Sequence, residues 1–315
     1  MEKIAFLILA HSDPQHLKEL VNALGVDNDI YIHIDKKSNI QNFTNLIKDN
    51  NVTFIQNRFK VSWGGISIVD AQIELIRAAI NSKNNYLHLL SISGSDYPLK
   101  PISELREFLS SRREKEFIKF IDMRESTDHY MNHLNYNNYK EPLFYSTNSI
   151  LIILDKVIRK GLRSLKFKNE WKKEVIPYFG SSWWALTPAC CKYILQYHLE
   201  NPWFYEMNKR TFAPDEHFFH TIVGNSQFLE ASGGVQEFRF VGTWQFANLH
   251  LIDPSLAKWF TLDDWEQVTN SNQFFVRKIR SSDGASLVKR IKEKFLSKGS
   301  VRKNKPSTNI DTAQE

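Results

Sequence analysis

Over the first 120 residues, short runs of apolar and β-branched residues alternate with stretches whose apolar positions recur every three or four residues. The runs Ile4–Leu9, Ile30–Ile34, Val52–Ile55, Tyr86–Ile92 and Phe117–Ile121 predict strands. Between them, His16–Leu24, Ile40–Lys48, Ile68–Ile80 and Ile102–Ser110 predict helices. Such alternation implies right-handed crossovers and an α/β fold whose mostly parallel sheet is covered by helices on both faces. In sheets of that kind ligands bind beyond the carboxyl ends of the strands.

The residues at the strand ends are therefore informative. Ala10-His11-Ser12-Asp13-Pro14 lies after the first strand, His33-Ile34-Asp35-Lys36-Lys37-Ser38 ends the second, Trp63-Gly64-Gly65 comes after the third, and Ser93-Gly94-Ser95-Asp96-Tyr97-Pro98 after the fourth. Turn chemistry accounts for Gly, Asp, Ser and Pro at such places. It does not call for His, Lys and Trp at the same edge.

The texture changes between Ser126 and Tyr178. Leu154, Val157, Ile158, Leu162 and Leu165 share one helical face, with Lys156, Arg159, Lys160, Arg163 and Lys166 elsewhere and Gly161 as an interruption. Two readings fit: a solvated helix packed on the body by its apolar face, or a basic amphipathic helix lying on a membrane surface. Phe179–Leu186 then predicts a strand and Ala189–Tyr197 a helix. Pro214, with Asp215 and Glu216 after it, marks a helix start, with carboxylates where the dipole favours them. After about Val288 a charged tail with one helix ends in a polar run, expected to fray.

The 315 residues suit one large domain or two modest ones, and 42% hydrophobic with 24% charged residues excludes disordered, collagen-like and coiled-coil chains. A net charge of +6 raises nucleic acid, a membrane surface or an anionic substrate as partners. Its distribution decides between them. Residues 289–305 carry +7 and residues 155–173 carry +6, which leaves the remainder at −7. No nucleic-acid-binding motif accompanies these segments, so peripheral contact with an anionic membrane through 150–173 and 289–305 is the expectation, and no nucleic acid. Ile4–Ala10 is too short for a membrane span or a secretory signal. Adjacent Cys190 and Cys191 read as small buried residues, not a disulfide framework. The expected location is the cytoplasm, at the inner face of the plasma membrane.

Neither GxGxxG nor GxxxxGK[ST] occurs, so dinucleotide and P-loop chemistries lack their signatures. The one Asp-x-Asp spacing, Asp27-Asn28-Asp29, precedes the second strand and so falls at the wrong edge of the sheet for a metal-held diphosphate. Cations would have to neutralise such a group instead. His217 and His220 beside Glu216 lack the HExxH arrangement of a zinc hydrolase, and no GxSxG elbow is present. Chemistry alone singles out Glu216, flanked by Phe212, Phe218 and Phe219, where burial would lift a carboxyl into the range of a general base.

Nine segments in order, AHSDP, YIHIDKKS, WGGISIV, HLLSISGSDYPLK, GSSWWALT, APDEHFFHTI, NS at Asn225-Ser226, FRFV and FFVRK, resemble the core-2/I-branching glycosyltransferases, glycosyltransferase family 14, over about Lys3 to Ile279. That family includes β-1,6-N-acetylglucosaminyltransferases and peptide O-xylosyltransferases, and this chain would be a bacterial-type member. The resemblance implies a GT-A-like, Rossmann-type single catalytic domain over 1–287. Within it, 1–124 would hold the nucleotide, 125–178 would be an acceptor- or membrane-facing insertion, and 179–287 would carry the base and the diphosphate site. It implies an inverting transfer of GlcNAc or xylose from a UDP-sugar, without a divalent metal or other cofactor. The acceptor would be a hydroxyl of a glycan or lipid-linked molecule in surface polysaccharide synthesis.

By the same resemblance Glu216 is the catalytic base, and Arg239, Lys278 and Arg277 hold the diphosphate. His11, Asp35, Trp63, Gly64 and Asp96 surround the nucleotide, and Ser181, Ser182, Trp183, Asp215 and Trp244 the sugars. The xylosyltransferase branch carries Asp where this chain has Ser182. Transfer to a protein serine is the alternative activity, and a non-catalytic polyanion- or sugar-binding protein the alternative of another class.

Overall fold

The computed structural model describes residues 2–296 except Thr127, Phe240 and Val241. Five strands form the main sheet: β1 (Lys3–Ala10), β2 (Asp29–Ile34), β3 (Val52–Phe54), β4 (Tyr86–Ser93) and, later in the chain, β8 (Ala185–Leu186). Their order is β3-β2-β1-β4-β8, with the first four parallel and β8 antiparallel to β4. The period-two alternation of β1 divides the core. Ile4, Phe6 and Ile8 pack with α1 (Pro14–Leu24), α2 (Gln41–Thr44) and α4 (Ile102–Ser110), whereas Ala5 and Leu7 pack with α3 (Ser67–Asn81) on the other face. Burial on both faces is why β2 and β4 read as nearly continuous apolar runs.

The later elements are α5 (Asp128–Asn135), α6 (Ser149–Ser164), α7 (Pro188–Glu200), α8 (Pro202–Asn208), α9 (Phe218–Gly224), α10 (Trp265–Thr269) and α11 (Ser281–Ile291). Cys190 and Cys191 are buried on α7, packed with α3 and α9. A second sheet joins β5 (Asp96–Pro98), β10 (Phe275–Arg277) and β9 (His250–Ile252) in the order β5-β10-β9, so residues 250–277 are stitched to the segment that follows β4. A third is the antiparallel pair β6 (Phe120–Asp122) and β7 (Tyr178–Gly180).

Mixed α/β architecture with a parallel-rich sheet flanked by helices matches the GT-A-like expectation. Several details differ from the sequence reading. The expected fifth strand at 117–121 leaves the main sheet, because the edge of β4 is taken by β8; Phe117 keeps a single bridge to Ala185 while 120–122 pairs with β7. The expected helix 40–48 shrinks to one turn. The predicted strand 179–186 is two short strands with a break between them.

The expected insertion 125–178 contains α5 and α6. Tyr130 and Leu134 of α5 are buried with Phe179, whose ring stacks on Tyr130 at 4.0 Å. Helix α6 runs through Gly161 without a break and does not bury its apolar face. At the other end, packing continues past residue 287 through Val288 and Ile291 of α11, against Tyr97 and Phe260. The expected basic segment 289–305 therefore begins inside a packed helix, and its part from Ser297 onward lies outside the described residues.

Candidate active site

The carboxyl ends of β1 to β4 open onto one cleft of about 880 Å³, a size that takes a small organic ligand. Ala10, His11 and Ser12 reach it after β1, Asp35 and Lys37 after β2, Trp63 and Gly64 after β3, and Ser93, Gly94 and Ser95 after β4. Asp35 is committed to its own turn: Oδ1 accepts from the Lys37 amide at 2.8 Å and Oδ2 lies 3.3 Å from the Lys37 ammonium. Trp63 is exposed at the rim, its ring edge-on to Phe212 at 5.4 Å.

The loop carrying the two acids is pinned to this rim. The Ala213 amide donates to the Gly64 carbonyl at 3.0 Å and the Phe212 amide to the His133 carbonyl at 2.9 Å. Gly64 has a left-handed φ of +71°, and a Cβ there would come within 2.7 Å of the Phe212 ring, so this position needs glycine on both counts. The helix start expected at Pro214 is a single 3-10 turn, Pro214–Glu216, separated from α9 by His217 at φ −139°. That kink leaves Asp215 and Glu216 lining the cleft instead of the outer side of a helix.

Burial pushes the Glu216 carboxyl well above the ordinary carboxylate range, and the charge of Asp215 adds to the push. Burial raises Asp215 too, opposed by the Ser182 hydroxyl, which donates to its Oδ2 at 2.6 Å, and by the positive field of Arg277. The buried imidazoles of His217 and His220 are held near 3 by desolvation and so stay neutral behind the acids. Among the described residues no side chain donates a hydrogen bond to the Glu216 carboxylate.

The break in the predicted strand 179–186 brings Ser181, Ser182 and Trp183 to the cleft. The Arg277 guanidinium lies over the Trp183 ring at 4.2 Å and pairs with Asp96 at 3.0 Å, and it also contacts the Ser93 hydroxyl. Burial alone would raise the Asp96 carboxyl, but Arg277, His250 and the Ser93 amide outweigh it and hold it at about 2. Lys278 is next along the cleft, its ammonium 4.6 Å from the centre of the Trp259 ring. Trp244 completes this wall.

Two expected residues stand elsewhere. Asp96, expected against the nucleotide, is fully buried behind Arg277 and does not line the cleft, because its carboxylate is consumed by Arg277 and Ser93. Arg239, expected at the diphosphate, is exposed and paired with Glu237 at 3.0 Å, outside the cleft lining. Conversely, Tyr130, His133 and Lys258 line the cleft without having been singled out. The concentration of Tyr, Asn and His over 130–145 is the signal the sequence offers for the first two. Lys258, paired with Asp264 at 2.5 Å, comes after a strand-end Asp-Pro turn like those of the first half. Among the described residues no group of three His, Cys, Asp or Glu side chains is placed to hold a metal ion.

Fold and cleft define an α/β protein whose strand-end site sets a half-buried acid pair beside an arginine and a lysine. The chain belongs to the Core-2/I-Branching enzyme family, which matches residues 4–250. It is similar to human N-acetyllactosaminide β-1,6-N-acetylglucosaminyl-transferase, 24% identical over 70% of this chain and 52% of that protein. It is likewise similar to Rattus norvegicus xylosyltransferase 2, 26% identical over 73% of this chain and 25% of that protein. Xylosyltransferase oxt of Drosophila pseudoobscura pseudoobscura matches 88% of this chain at 23% identity, over 31% of its own length. The chain thus spans from about half to a quarter of the length of these relatives.

Proposed function

We propose that this chain is an inverting glycosyltransferase that moves a sugar, GlcNAc or xylose, from a UDP-sugar to a hydroxyl of a glycan or lipid-linked acceptor. The observation that carries the reading is the raised, unengaged Glu216 carboxyl in the same cleft as Arg277 and Lys278. The acceptor O–H gives its proton to Glu216 as its oxygen forms a bond to C1 of the sugar. The C1–O bond to the diphosphate breaks on the opposite face, which inverts the anomeric centre, and UDP leaves with the electron pair. Arg277, held over Trp183 by Asp96, and Lys278 meet the charge that builds on the leaving diphosphate. With two cations in that role, the transfer proceeds without a divalent metal. Work on surface polysaccharide at the cytoplasmic face of the membrane is the setting in which these parts fit together.

A panel of UDP-sugars scored for slow donor hydrolysis, with and without EDTA, tests the reading. One donor turned over equally in both conditions, and lost in Glu216→Gln, is the expected result. No turnover of any UDP-sugar, or turnover abolished by EDTA, would overturn it in class or in metal use respectively.

A further inference from the structure

Helix α6 is turned the opposite way from a helix that packs on a protein body. Its one buried residue is Asp155. The Asp155 carboxylate accepts from the Leu143 amide at 2.8 Å and from Arg159 Nε at 2.7 Å, while Arg159 Nη1 donates to the carbonyls of Tyr139 and Lys140 at 3.2 and 3.1 Å. A charged pair one turn apart thus fastens the helix to residues 139–143. At 3.6 residues per turn, Ile150, Ile153, Leu154 and Val157 fall on the other side, and they are 75%, 60%, 46% and 61% exposed. Besides Arg159, seven Lys and Arg lie between 156 and 173, against Glu170 alone.

We propose that α6 docks on the surface of an anionic lipid leaflet, its apolar side at the acyl boundary and its cations among the headgroups. Charge selects this occupant. A second copy of the chain on this face would set one group of cations against another, whereas an anionic leaflet complements them. The helix lies in the interface and does not span, since no helix among the described residues is long and apolar enough to cross a membrane.

The body-facing side of α6 connects to the rim of the cleft. Lys140, whose carbonyl Arg159 holds, places its ammonium over the rings of Trp63 and Phe212 at 5.0 and 4.6 Å, and both rings line the cleft. A docked α6 therefore tethers the chain through a helix whose inner side contacts the segment that touches the cleft rim. Docking does not rest on the transferase reading, because vesicle binding is measured without turnover.

The test is flotation of the full chain with vesicles of phosphatidylcholine, with and without phosphatidylglycerol. Binding is expected only with phosphatidylglycerol and should weaken with salt. Lys156→Gln with Lys160→Gln should lower partitioning about 25-fold, from about fivefold per cation. Ile153→Ser with Val157→Ser should abolish binding even at low salt, with an unchanged melting temperature, because both side chains are exposed. Absence of flotation at low salt, equal flotation on neutral vesicles, or full binding by the Ile153/Val157 variant would each overturn the proposal. So would a concentration-dependent dimer dissolved by Val157→Asp without vesicle binding, which assigns the face to a second copy.

Discussion

Asp96 and Arg277 meet at 3.0 Å although 181 positions separate them in the chain. Antiparallel pairing of β5 with β10 sets them opposite one another, and the buried carboxylate fixes the guanidinium over Trp183 at the cleft edge. Asp96 thus positions the Arg277 guanidinium at the cleft lining.

Asp96→Asn should lower the melting temperature at neutral pH, since removing one partner of a buried ion pair costs about 3–5 kcal/mol. The folded pKa of about 2 lies below the unfolded value. Its stabilisation is therefore complete above the usual carboxylate range and is lost as pH falls toward 2. The deficit of the variant should shrink in acid, as measured by thermal melts over pH. UDP titration should show weaker binding as well, because Arg277 loses its anchor.

Glu216→Gln should reduce turnover at least about 100-fold while UDP still binds. The same substitution should stabilise the fold at neutral pH. A carboxyl whose folded pKa is raised contributes stability below its unfolded pKa and loses that contribution as pH rises through the folded value. Melting curves should show the gain at neutral pH and its disappearance in acid. Near-wild-type turnover would remove Glu216 as the base.

Asp215→Asn removes the neighbouring charge that raises Glu216. The acidic limb of the pH–rate profile, where Glu216 becomes protonated and inactive, should then shift to lower pH. Ser182→Ala removes the hydroxyl that favours ionised Asp215, so the profile of that variant should show less charge on Asp215 and a shift in the same direction. A limb unmoved in both variants would uncouple the two acids.

Arg277→Ala and Lys278→Ala should each weaken UDP binding about tenfold or more, as expected for loss of a charge-assisted contact. Arg239→Ala should have a smaller effect, since that side chain is exposed and paired with Glu237. A loss equal to that of Lys278→Ala would mean that Arg239 reaches the nucleotide only in the bound state. Calorimetric titration of the three variants separates these outcomes.

Gly64→Ala combines a strained φ of +71° with a clash against Phe212. It should displace the 212–216 loop and cut turnover more than UDP affinity, because Arg277, at the end of β10, and Lys278 after it belong to a different segment of the chain. Gly25→Ala has a similar φ of +77° but open space around it, and it should cost stability alone.

Strand-helix alternation in the first half, and with it the cleft at the ends of β1 to β4, was legible along the chain, because β1, β2 and β4 bury two faces and the helices between them one. The place of Glu216 in the cleft was legible as well, from an acid placed among aromatic residues. The sequence could not show that Phe179–Leu186 breaks in two, that the Pro214 helix start is an isolated turn, or that Asp96 faces Arg277 instead of a ligand. Those depend on pairings between segments far apart in the chain, to which local periodicity is blind. The same holds for α6. Its amphipathic pattern fixes a helix with one apolar side, yet only the contacts of Asp155 and Arg159 with residues 139–143 decide that this side faces outward.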